Sequence, residues 1–238
     1  MWQKPTKQEE INMATIGLDR LFYAPITEAP NTGEETYGTP VMLSEAISAD
    51  LSVSLAEAVL YADDGPSETV KEFASGTLSL GVKDIGRAVA AHLTGARIDG
   101  NGVLVSSSED ISKPVAIGFR ARKANGKYRY FWLYHVLFGV SSTNLATKGD
   151  SITFSTPTIV GTISRRRRLD AFGNHPWKAE VNEDDANIAA TVITGWYTQV
   201  YEPRNTATSS IAPLAIEGAS AEIEAEDKGN KKAGGKDA

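Results

Sequence analysis

The chain has no cysteine, only three histidines, and no apolar run long enough to cross a membrane as a helix. Without cysteine there are no disulfides, no thiolate nucleophile and no cysteine-ligated zinc. The three histidines, His92, His135 and His175, include no pair at a ligand spacing such as i, i+4. The longest apolar stretch, Phe131 to Val140, carries His135 and falls far short of the roughly 20 residues a spanning helix needs. Positive charge is also short. A net charge of −6 argues against a dedicated nucleic-acid binder, whose footprint would be basic. No nucleophile elbow, phosphate loop or dinucleotide fingerprint occurs. Polar Gln, Lys and Glu near the N-terminus stand where a secretory signal would be apolar, so none is expected.

Long strand-like segments are abundant. Lys127 to Val140 places Tyr128, Tyr130, Trp132, Tyr134, Val136 and Phe138 at one parity and Phe131, Leu133 and Leu137 at the other. Apolar residues at both parities predict a central strand covered on two sides. Asp150 to Ile163 is a second strand, and Pro157 predicts that it is an edge, bulged, or divided there. From Ile47 to Leu55 apolar residues alternate with Ser48, Asp50, Ser52 and Ser54, predicting one buried and one wet face. Tyr61 to Pro66 reads as a turn, and Thr77 to Val82 and Pro114 to Lys123 as further strands. Asn125-Gly126 marks a tight hairpin into the aromatic strand.

Only one segment has a clear helical period. Ile85, Ala88, Val89, His92 and Leu93 recur between Lys83 and Thr94, and Gly95 stands where a left-handed C-cap belongs. Residues 184–202 fit helix or strand, with a break at Gly195. Ile26 to Pro40 collects Pro, Asn, Gly, Thr and Glu and reads as a long exposed loop. Residues 1–13 are a patternless leader, 14–204 one domain, and 205–238 a tail too poor in apolar residues to offset the cost of ordering it.

Candidate chemistry is sparse. The histidines and the Asp63-Asp64 pair are expected to be structural or to sit in turns, so no catalytic residue, metal site or cofactor is expected. The aromatic strand, apolar on both faces, reads as core rather than as a sugar-stacking platform. Arg165, Arg166, Arg167 and Arg168 form the one conspicuous charge run. Interface contacts are favoured over phosphate binding, with Glu183, Asp184 and Asp185 as carboxylate partners in the same chain or a neighbour. Replacing Arg166 and Arg167 by Glu is then expected to leave the subunit folded.

The ordered series LFYAPIT, YGTPV, YADDG, GTLSLGV, NGVLV, GFRA, NGKYRYFWLY, KGDSITFSTPTIVGTI, PWKAEV and GWYTQVYEP, spread from Ala14 to Pro203, resembles the major tail protein of long-tailed, non-contractile bacteriophages of Gram-positive hosts. The resemblance implies a mainly β fold, a β-sandwich or half-barrel with one flanking helix and long loops. It implies self-assembly into stacked hexameric rings forming a tail tube through which DNA passes. The expected partners are further copies of the chain, with tape measure, tail terminator and distal tail proteins, while DNA is met transiently and no membrane is involved. The expected location is the virion tail, after assembly in the host cytoplasm. Similar folds make the tubes of contractile secretion systems, the nearest alternative; a carbohydrate-binding module is the alternative from another class. DNA must slide through such a bore, so carboxylates from the 48–72 region, Asp50, Glu57, Glu68 and Glu72, are candidates to line it.

Overall fold

The computed structural model describes residues 14–29, 34–62, 65–139 and 155–204. The leader, Asp63 and Asp64, and the tail from 205 fall outside them. The chain divides into two compact units, Met1–Asn205 and Thr206–Ala238, and every described residue belongs to the first.

That unit is mainly β. Eleven strands are described: β1 (Thr15–Glu28), β2 (Glu35–Tyr37), β3 (Val41–Ser44), β4 (Ala46–Ala62), β5 (Gly65–Val82), β6 (Arg97–Ile98), β7 (Leu104–Val105), β8 (Val115–Lys123), β9 (Tyr128–Phe138), β10 (Thr158–Ile163) and β11 (Lys178–Asn182). Nine form one antiparallel sheet in the order β2-β1-β8-β9-β10-β5-β4, with β11 added beside β9 and β3 beside β1. β1 and β4 approach each other without sharing a ladder, since β3 pairs with β1 and leads into β4. The sheet therefore curls into an incompletely closed barrel.

β9 is the spine, paired with β8 on one side and with β11 and then β10 on the other. Phe131 and Leu133 pack into one core with Ile117, Phe119, Leu78, Leu80 and Ile163; Tyr130, Trp132 and Tyr134 pack into a second with Val181, Trp196 and Val200. Coverage on both sides is as the sequence predicts, but strict alternation fails. Ile117 pairs with Leu133 while Val115 pairs with Val136, so two residues of β9, Tyr134 and His135, oppose Ala116 alone on β8. This bulge at Tyr134-His135 turns Val136 and Phe138 to the Leu133 side, away from the face their parity assigns them. Gly118 lies against Trp132, and a Cβ there would come within 2.7 Å of the indole.

Pro157 has a simpler place than expected. β10 is an interior strand, paired with β5 and β9, and the proline directly precedes it. Its carbonyl accepts the Val82 N–H at 3.1 Å, while its missing N–H is not needed. The part of the expected strand from Asp150 to Phe154 is outside the described residues.

The helix α1 (Arg87–Thr94) ends at Gly95 with φ 79°, as the C-cap reading requires. A Cβ at Gly95 would also collide with the Ile111 backbone. Leu93 and Val89 pack α1 onto the first core. The ambiguous segment resolves into α2 (Ala190–Thr194), stopped at Gly195, followed by turns that drop Trp196 and Val200 into the second core. The Trp132 indole donates to the Trp196 carbonyl at 3.0 Å.

The 26–40 segment is not simply an exposed loop. β2 pairs with the end of β1, and both Ile26 and Glu35 are buried. Contacts from distant arginines, which composition does not display, hold Glu28, Glu34 and Glu35.

Candidate functional site

β4 and β5 form a hairpin whose strands are about three times as long as an ordinary strand. About midway along it Phe73, opposite Leu55, stacks on Trp177, ring centroids 4.4 Å apart. Beyond that rung β5 pairs only with β4, and residues 55–60 and 68–72 are all exposed, Leu55 by 56% and Leu60 by 59%. Among the described residues β4 has no partner on its outer edge.

Directly paired residues share a face. Leu51, Val53, Leu55, Val59 and the Glu57–Lys71 ion pair (3.3 Å) therefore occupy one face. Asp50, Ser52, Ser54, Glu68, Glu72 and Thr77 occupy the other. Glu57 thus parts from the other three carboxylates proposed to line a bore. It lies at odd separation from Asp50 in a strand without an insertion between them, so one face cannot carry both.

The arginine run diverges residue by residue. Arg166 is fully buried: Nη1 donates to Glu202 at 2.8 Å, Nε to the Arg168 carbonyl at 2.9 Å, and the guanidinium lies 5.0 Å from the Tyr134 ring centre. Burial opposes its charge, and the hydrogen bond and charge of Glu202 override that, raising its pKa. Burial pushes the Tyr37 and Tyr134 phenols well up, with Arg166 pulling the other way. Arg168 takes the second Glu202 oxygen and lies 3.9 Å from Glu34. The Arg167 side chain meets Glu28 at 3.0 Å, and its backbone N–H donates to Glu35 at 2.9 Å. Arg165 is exposed.

Glu183, Asp184 and Asp185 are occupied elsewhere in the chain. Glu183 meets Lys127 and accepts the Tyr128 N–H. Both Asp184 oxygens take the buried Lys123 ammonium, at 2.7 and 2.9 Å, and Asn125 adds a third bond. The Lys123 hydrogen bond holds this carboxyl below its ordinary range; burial opposes it, and Asn125 adds to the lowering. Asp185 accepts the Asn187 N–H. Within the chain the two runs do not meet. The arginines instead reach glutamates at 28, 34, 35 and 202, whose distances in sequence gave no sign of it. Because Arg166 is buried, its replacement by Glu cannot be expected to leave the fold intact.

The fold also assembles a constellation the sequence conceals. His135 Nδ1 lies 2.8 Å from the Ser164 hydroxyl, and its Nε2 lies 3.6 Å from Glu35, which is fully buried. Serine, histidine and carboxylate in series resemble a hydrolytic relay. None of the three lines the cleft formed by Leu18, Ile47, Leu51, Phe119 and Phe131 with their neighbours. His92 packs edge-on against Tyr23, and His175 bonds the Arg166 carbonyl. No group of His, Asp and Glu able to hold a metal occurs among the described residues.

No protein-family model matches the chain, and no curated protein matches it. Among solved structures it is similar to the anti-feeding prophage cap, described as the tube terminating cap, determined by cryo-electron microscopy. Identity is 9%, the TM-score is 0.42, and the match covers 76% of this chain and 99% of that one.

Proposed function

We propose that this chain is a structural subunit of a phage tail, acting by self-association rather than catalysis. One observation carries the reading: a hairpin much longer than its own core requires, whose outer strand has no ladder partner on its far edge among the described residues and which exposes aliphatic side chains. A long unpaired edge is a template for another strand, and its persistence is an aggregation hazard unless assembly covers it. Head-to-tail pairing gives rings where the rotation closes, and rings that stack give a tube. The resemblance in motif order supports hexameric rings around a DNA channel in the virion, with tape measure, terminator and distal tail proteins at the ends. The serine–histidine–glutamate series then serves as structure, not turnover.

Electron microscopy of the concentrated protein tests this. Rings or tubes are expected, and Leu55→Lys with Val59→Lys should abolish them while leaving the thermal transition in place. Monomers alone at high concentration would overturn the reading.

A further inference from the structure

Asparagine precedes glycine twice in the sequence, at Asn101-Gly102 and at Asn125-Gly126. The first pair lies in the turn between β6 and β7, the second between β8 and β9. The two turns share one backbone. In each the glycine N–H donates to the carbonyl three residues back, of Asp99 or Lys123, at 3.0 Å, and the glycine sits at φ 80° or 81°. Both asparagines are exposed. What differs is the hold on the side chain. Asn125 Nδ2 donates to an Asp184 oxygen at 2.9 Å, and its Oδ1 accepts the Lys127 N–H at 3.0 Å. Asp184 is itself fixed, both its oxygens taking the buried Lys123 ammonium. The Asn101 side chain has no hydrogen bond among the described residues. Its turn is organised by Asp99 instead, whose Oδ1 accepts the Asn101 and Val103 N–H groups.

We propose that Asn101 is a deamidation site of this chain and that the Asp184 tether protects Asn125 from the same reaction. The Gly102 nitrogen, its proton lost to hydroxide, attacks Asn101 Cγ. The new N–C bond closes a succinimide ring, and the side-chain amide leaves as ammonia, taking a proton from water. Water then opens the ring at one carbonyl or the other, giving aspartate or isoaspartate. The net change is amide plus water to carboxylic acid plus ammonia, with no oxidant or cofactor. Ring closure requires the asparagine side chain to rotate until Cγ meets the next backbone nitrogen, and a following glycine has no side chain to block that approach. Among the described residues nothing holds Asn101 against the rotation. Asn125 must first give up one neutral and one charge-assisted hydrogen bond. The product also falls on a joint, because the Gly102 carbonyl accepts from Arg87, the first residue of α1. Isoaspartate adds a methylene to the main chain one residue before that contact and so loosens the β6–β7 turn from α1.

Incubation of the whole chain in mildly alkaline, oxygen-18-labelled water, followed by peptide mapping in a mass spectrometer, tests this. In the folded protein Asn101 should convert about tenfold or more ahead of Asn125, the size expected from breaking one neutral and one charged hydrogen bond. In concentrated urea the tether is gone, and the two rates should converge. Lys123→Met with Asp184→Ala removes the ion pair as a unit. Asn125 should then convert faster in the folded variant, with the rate at Asn101 unchanged. No conversion at Asn101, or equal rates in the folded wild type, overturns the proposal. So does a ratio in urea equal to the folded one, which makes the difference a property of the flanking sequence. An unchanged rate at Asn125 in the folded double variant overturns the tether. Should that variant not fold, the comparison of folded and urea-unfolded wild-type chain decides.

Discussion

Single residues in this chain differ more than their neighbours in sequence imply. Four consecutive arginines include one with no solvent exposure, Arg166, and two that are exposed, Arg165 and Arg167. Removing Arg166 strips Glu202 of a buried cation and leaves Tyr134 unsupported. Arg166→Ala should cost about 3–5 kcal/mol in thermal or denaturant unfolding, as for other broken buried pairs. Arg165→Glu and Arg167→Glu should each shift stability by less than about 1 kcal/mol. If the exposed arginines make subunit contacts, those same two variants should fold and yet lose rings in electron microscopy. The Lys123–Asp184 pair carries a pH sign. Asp184 has a lowered pKa in the fold, so its contribution is present above the ordinary carboxylate range and lost as pH falls through the lowered value. Acid unfolding of Lys123→Met should show a weaker loss of stability over that window than the parent protein.

At the scale of elements, local chemistry was readable where one residue carries a geometric demand. Gly95 announced the end of α1, and Asn125-Gly126 the turn between β8 and β9, with Gly126 at φ 81°. The doubly covered β9 could be read from its composition. Its bulge could not, because the extra residue is defined by the register with β8, and nothing in Tyr134-His135 differs from regular strand chemistry. The same limit hid the contacts of Glu35 and Glu202, which form only when distant segments meet. Phe73 on Trp177 is likewise invisible in one dimension. Gly118 gives the element-scale prediction. With the Trp132 ring against it, Gly118→Ala should destabilise by about 1–3 kcal/mol, the range for overpacking, measured by urea unfolding. Trp132→Leu in the same background should recover part of that loss, since it removes the clashing ring.

For the whole molecule, the question is which surface an assembly would turn inward. The hairpin offers a face with Leu51, Val53, Leu55 and Val59, and a mixed face on which Asp50, Glu68 and Glu72 stand with Ser52 and Ser54 but also with Leu60 and Val70. If the second lines a DNA channel, its carboxylates keep phosphates from binding tightly. Replacing all three by Lys should leave tubes intact by microscopy but make them retain DNA in a salt-dependent manner, since each neutralised phosphate steepens the salt slope by about 0.9 for duplex. Retention that does not change would place those residues elsewhere. The aliphatic face is then available for neighbouring copies.

The order of the strands along the chain has a consequence for synthesis. β4 and β5 are adjacent in sequence and can close as soon as Val82 has left the ribosome. β1 must wait for β8, some ninety residues or more downstream, before its main ladder exists. At about 5–20 residues per second, the stretch from Val82 to Lys123 alone takes roughly two to eight seconds. During that interval the nascent chain displays its aliphatic hairpin before the domain it belongs to has formed. Neighbouring ribosomes on one message hold the same edge at high local concentration. Slow codons placed between residues 83 and 123 should therefore lower the soluble yield, while the same codons placed after residue 163, when all but β11 of the main sheet has been made, should not.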